Sequence, residues 1–88
     1  MDYRKTAQEI YDHVGKKANI ISAAHCATRL RLVIADNDKA DKEYVENIDG
    51  VKGVFFAQGQ MHIILGTGVV NKVYDEFIQI AGVSESSK

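Results

Sequence analysis

The residues of this chain best suited to chemistry crowd into one short run, His25-Cys26-Ala27-Thr28-Arg29-Leu30-Arg31, where the only cysteine stands three and five residues ahead of two arginines. A free thiol titrates near ~8.5, so only a few per cent is ionised at neutral pH, and neighbouring guanidinium groups favour the thiolate by Coulomb attraction. The thiolate is the nucleophilic form. Guanidinium is also the side chain best matched to phosphate, because its planar fork donates two parallel hydrogen bonds. Thr28 adds a hydroxyl donor, and the small residues up to Ala27 leave turn amides free to form an anion-binding nest. Together these types and spacings point to a phosphoryl group carried on the sulfur of Cys26. The plainer reading is a lone cysteine buried as a small hydrophobe. Its flanks argue against that, since the charges of Thr28-Arg29-Leu30-Arg31 need water or an anion.

These residues must be positioned by a strand. From Thr28 to Ala35 the sequence alternates, placing Leu30, Leu32 and Ile34 on one face and Arg29, Arg31 and Val33 on the other. Residues two apart on a strand are roughly 6.6 Å apart, so both arginines are expected to reach a single dianionic group at the turn. A short apolar run, Asn19 to Ala23, predicts the preceding strand and puts Cys26 at a hairpin tip. By alternation His25 points away from the nucleophile. It is assigned a supporting role at most.

The remaining elements follow from periodicity. Tyr3, Ala7, Ile10, Tyr11 and Val14 form the stripe of an amphipathic helix, with Gly15 at the expected left-handed cap. Asp36-Asn37-Asp38 favours a turn, Asp38 or Asp41 can cap the next helix, and Tyr44, Val45 and Ile48 provide its apolar stripe up to Asp49-Gly50. Val51 to Ala57 and Met61 to Leu65 predict a second hairpin turning at Gly59-Gln60. The last helix is expected to open with Thr67 as N-cap and to bury Val70, Val73, Tyr74, Phe77 and Ala81. The predicted fold is α+β: a four-stranded antiparallel sheet with three helices on one face, in the order helix-strand-strand-helix-strand-strand-helix. The arginine face is the open one. Strand order does not follow from periodicity.

At 88 residues the chain accommodates one domain with a single core, assigned to residues 1–82, and the polar, serine-rich stretch 83–88 has the composition of a linker or tail. Eleven basic against twelve acidic side chains leave a net charge of −1, which argues against a nucleic-acid partner. The open face is also expected to lack aromatic platforms for stacking bases. A single cysteine with no metal-ligand spacing predicts a reducing, cytoplasmic setting, no metal and no cofactor. No apolar run approaches the ~20 residues of a membrane span.

Asn19-Ile20, the run Ala24 to Arg31, Gly59-Gln60, and Ile63-Ile64-Leu65-Gly66-Thr67-Gly68 together resemble the IIB domain of the sugar phosphotransferase system, glucose family. The resemblance runs from about Tyr3 to Ala81, and the His-Cys-Ala-Thr-Arg-Leu-Arg-Leu form is closest to the branch handling sucrose, N-acetylmuramic acid, trehalose and β-glucosides. It implies the same architecture and a phosphotransferase activity. Cys26 would take phosphate from a phosphohistidine of a glucose-family EIIA protein and pass it to a sugar held by the membrane permease EIIC. Ala27, Thr28, Arg29 and Arg31 would hold the phosphate, the two arginines mattering most in the step towards sugar. The resemblance also implies a place for Gly59 and Gln60 near the cysteine loop, and a location at the inner face of the membrane where the domain is joined to EIIC. In that family a Gly-Gly pair is common after the first helix, and here Lys16 replaces the second glycine. The competing reading is a thiol-based redox or ligand-sensing α+β module, but a redox switch usually needs a resolving cysteine and this chain has none.

Overall fold

The computed structural model describes residues 2–82; the proposed tail at 83–88 lies outside them. Helix α1, Tyr3–His13, starts where the Asp2 side chain accepts from the Lys5 amide, and it buries Thr6, Ala7 and Ile10. Gly15 (φ 100°) turns the chain in the left-handed region, and it is packed so tightly on Asn19 that a Cβ there would lie 2.6 Å from the Asn19 Cβ. Lys16 follows, also left-handed at φ 61°, in the conformation that a second glycine would adopt freely. A one-turn helix α2, Lys16–Asn19, then leads into the sheet. This fourth helix is absent from the sequence expectation, as is a 3₁₀ turn at Asn37–Lys39 capped by Asp36. Both are too short for any period to register.

The strands are β1 (Ile20–His25), β2 (Arg29–Ile34), β3 (Gly53–Ala57) and β4 (Gln60–Ile64), antiparallel throughout in the order β1-β2-β4-β3. Helix α3, Lys42–Glu46, is capped by Asp41. Helix α4, Val69–Ala81, starts from Gly68 with no side-chain cap, so Thr67 does not serve as the N-cap. Burial on β2 alternates as expected: Leu30, Leu32 and Ile34 join Ile10, Val14, Met61, Ile63, Val73 and Phe77 in one core under the helices. Tyr44 departs from the expected stripe. Only Val45 and Ile48 are buried, while Tyr44 lies 41% exposed, stacked on the His13 ring at 3.6 Å and donating its hydroxyl to Glu9 Oε1.

One irregularity sets the phase of the cysteine. Ile20 pairs with Ile34 but Ser22 pairs with Val33, so Ile21 is a bulge on the edge strand. The extra residue switches the alternation. Ala23 and His25 therefore continue the helical face that Ile20 began. Ala24 and Cys26 fall on the arginine face, as the cross-strand pairs Ala24 with Arg31 and His25 with Leu30 require.

Candidate functional site

Cys26 follows directly on β1, and its amide donates to the Arg29 carbonyl at 3.0 Å, leaving exposed Ala27 and half-buried Thr28 as the link. That link is pinned from below: the Thr28 carbonyl accepts from both Leu65 (2.9 Å) and Gly66 (3.0 Å), where β4 runs towards α4. Pinning that carbonyl fixes the Thr28–Arg29 peptide plane, and the Thr28 and Arg29 amides both act on the sulfur. The Cys26 thiol is held below its ordinary value, first by the Thr28 amide, then by the Arg29 amide and the charges of Arg31 and Arg29, with partial burial opposing. A half-buried thiol whose ionisation is favoured by neighbouring amides is a ready nucleophile, and the same amides offer a place for an incoming anion.

The arginines share the open face but not one target. Arg31 sits between Ala24 on β1 and His62 on β4, with its Nε buried and without a hydrogen-bond partner. The Arg29 head group instead crosses β4 and lies 5.1 Å from the centroid of the Phe55 ring on β3. In this structure the aromatic face on β3, and not the turn, holds the Arg29 guanidinium. His25 turns to the helical side as expected, its ring 4.4 Å from that of Tyr74 and its Nδ1 3.3 Å from the Cys26 carbonyl.

Gly59 and Gln60 are not near the cysteine loop. Antiparallel pairing puts Ile64 level with Arg29, so the turn before β4 lies four residues along the strand, about 13 Å away at the opposite end of the sheet. The turn itself is formed by Gln58 and Gly59, both left-handed, and Gln60 already pairs with Ala57. What meets the cysteine loop is the other end of β4, Leu65 and Gly66. Both residues belong to the run Ile63 to Gly68 that carries the family resemblance, and only the strand order places them beside Thr28.

The site also contains residues that sequence reasoning missed. Phe55 and His62 stack in parallel at 4.8 Å on the open face, contrary to the expectation that it lacks an aromatic platform. His62 is buried, and neither ring nitrogen reaches a partner of good hydrogen-bond geometry. Burial, with the charges of Arg31 and Arg29, keeps the imidazole below its ordinary value, against a weaker opposite pull from the Ala57 backbone. Alternation places position 62 on the face of Arg31, a signal that was legible once β2 and β4 were known to be neighbours.

The fold and site define a small α+β domain that presents one activated thiol at a hairpin tip, flanked by two arginines. A family model described as phosphotransferase system, EIIB, matches residues 8–41. The chain is 50% identical to a crystal structure of one domain of the PTS system, IIabc component, from Clostridium difficile, with a TM-score of 0.89 over 98% of this chain and 88% of that one. It is 59% identical over its whole length to the PTS system sucrose-specific EIIBC component of Klebsiella pneumoniae, and 44% identical over 99% of its length to the trehalose-specific EIIBC component of Bacillus subtilis (strain 168). The chain belongs to the EIIB family of the phosphotransferase system, in the branch that includes these components. It spans about a fifth of the length of these curated relatives, 19% and 18%. Among the described residues no helix is long and apolar enough to cross a membrane.

Proposed function

We propose that this domain is a phosphoryl carrier in sugar uptake, with Cys26 as the residue that is phosphorylated. The observation that carries the reading is the hairpin-tip thiol on the arginine face, whose pKa the Thr28 and Arg29 amides lower in a link pinned through the Thr28 carbonyl. The sulfur lone pair attacks the phosphorus of a phosphohistidine on a glucose-family EIIA partner; the S–P bond forms as the P–N bond breaks, and the electron pair returns to the imidazole. A hydroxyl of a sugar held in the EIIC permease then displaces the phosphoryl group, breaking the S–P bond, regenerating the thiolate and releasing the hydroxyl proton. Phosphoryl transfer depends on positioning and charge neutralisation, which amides and guanidinium groups supply.

Ala27 and Thr28 supply the backbone link around the phosphate, and Arg31 supplies positive charge beside it. The curated relatives are EIIBC components, which supports a partner or continuation of EIIC type and a working place at the inner face of the membrane. Their sucrose- and trehalose-specific names favour a sugar of that kind, selected by EIIC. Gly59 and Gln60, at the far end of the sheet, are better placed to meet a partner than to touch the phosphate. The redox alternative has no observation in its favour. The test is intact-mass spectrometry after incubation with phosphoenolpyruvate and the upstream relay proteins. One phosphate on the wild type and none on Cys26→Ser is expected, whereas an equal adduct on both would overturn the proposal.

A further inference from the structure

The open face carries a row of side chains across all four strands: Ala24, Arg31, His62 and Phe55 are successive cross-strand neighbours. Arg29 belongs to the next row, beside Cys26, yet its guanidinium leaves that row and crosses β4 to Phe55. From β2 to β3 is two strand spacings, roughly 9.6 Å, whereas β1 with Cys26 is one spacing in the other direction. Phe55 is held in place because its ring is stacked in parallel on His62, which is itself buried on a central strand. The ring is thus a fixed seat for a cation, and the cation on it is one that the sequence pattern places next to the nucleophile.

We propose that Phe55 is a positioning residue that stations Arg29 away from Cys26 while the thiol is unloaded, and that a dianionic phosphoryl group on the sulfur draws Arg29 back to the cysteine loop. The inference rests on the reading of Cys26 as phosphoryl acceptor. A monoanionic thiolate competes weakly with the ring for the guanidinium, since two backbone amides and the charge of Arg31 in the adjacent row already favour it. The charge of Arg29, unlike its backbone amide, does least to favour the thiolate, as expected for a head group that rests on Phe55. A phosphoryl group carries nearly twice the charge and three acceptor oxygens, which match the planar fork as an aromatic face does not. Arg29 then changes place only on loading, so the phosphorylated and free domains present different surfaces to EIIA and EIIC.

The experiment compares Phe55→Leu, which keeps an apolar side chain but removes the ring, with Phe55→Tyr, which keeps the ring. Two readouts are taken. The first is the pH profile of Cys26 alkylation by iodoacetamide, which does not depend on any relay protein. Freed from its seat, Arg29 spends more time near the sulfur, so Phe55→Leu should shift the profile to lower pH while Phe55→Tyr stays with the wild type. The second is the equilibrium fraction of phosphorylated protein at a fixed donor ratio. Losing an exposed cation–π contact should raise that equilibrium about two- to fivefold in Phe55→Leu. The Arg29 Nε–Hε NMR signal should also show the ring-current shift of Phe55 in the free wild type and lose it on phosphorylation. An unmoved or raised alkylation profile in Phe55→Leu, or an Arg29 signal unchanged by loading, overturns the station. Failure of the wild type to take phosphate on Cys26 overturns instead the functional reading, and the alkylation profile still decides where Arg29 rests.

Discussion

Asn19 is the residue on which the cysteine hairpin hangs, and replacing it should be among the most damaging single changes outside the apolar core. Its side chain is buried and makes three hydrogen bonds: Nδ2 donates to the Val14 carbonyl (2.8 Å) and the Asp36 carbonyl (2.9 Å), and Oδ1 accepts from the Asp36 amide (2.8 Å). The end of α1, the start of β1 and the end of β2 are thereby tied at one point. Each neutral bond contributes about 0.5–1.5 kcal/mol net, and losing one partner leaves the other buried and unsatisfied. Asn19→Ala should therefore cost about 2–4 kcal/mol, some of the loss being relieved where water reaches the Asp36 backbone. For a domain of this size that lowers Tm by roughly 10 °C or more. Asn19→Asp keeps the acceptor but sets a carboxylate against two carbonyl oxygens, and should be at least as destabilising. Urea unfolding followed by far-UV circular dichroism measures both. A loss below about 0.5 kcal/mol for Asn19→Ala, the range of ordinary surface changes, would refute the argument.

Other consequences can be measured on single variants. Arg31→Lys keeps the charge but loses the planar fork, so onward transfer to sugar should slow about tenfold while stability stays within about 0.5 kcal/mol; unaltered transfer in a reconstituted permease would remove the phosphate-holding role. His62 favours its neutral form in the folded state, so its contribution to stability is fully present above the unfolded pKa of about 6.5 and is lost as pH falls through the lower folded value. Stability should thus fall more steeply from about pH 7 to 5 in the wild type than in His62→Gln, and equal slopes would contradict the burial argument. Gln58 is left-handed (φ 55°) ahead of Gly59 in a two-residue hairpin turn. Gln58→Asn should stabilise by about 0.5–1 kcal/mol in the same urea assay, and a loss would show that the Gln58 side chain has another role.

Much of the fold is legible because its signals are local. The β2 alternation, the stripes of α1 and α4, and the left-handed Gly15 each follow from the spacing of neighbouring residues, and the structure agrees with all of them. What escaped depends on relations between distant residues. The bulge at Ile21 is silent in an apolar run, yet it decides that Cys26 rather than His25 faces the arginines. Strand order was undetermined, so Gly59-Gln60 was expected at the wrong end of the sheet, and the neighbours that pin Thr28 were not recognised. Phe55 and His62 look like ordinary strand residues in the sequence. Only the pairing of β4 with both β2 and β3 brings them against Arg29 and Arg31. Thr67 illustrates a local rule that lost: the left-handed glycines on either side of it delay the helix start to Val69.

The central claim is that phosphate is carried on the sulfur of Cys26, and ³¹P NMR of the protein loaded by its phosphohistidine donor tests it most directly. The domain should show a single S-phosphate resonance, which is abolished when the thiol is first alkylated with iodoacetamide. A phosphoramidate resonance from His13, His25 or His62, or undiminished loading after alkylation, would contradict the account.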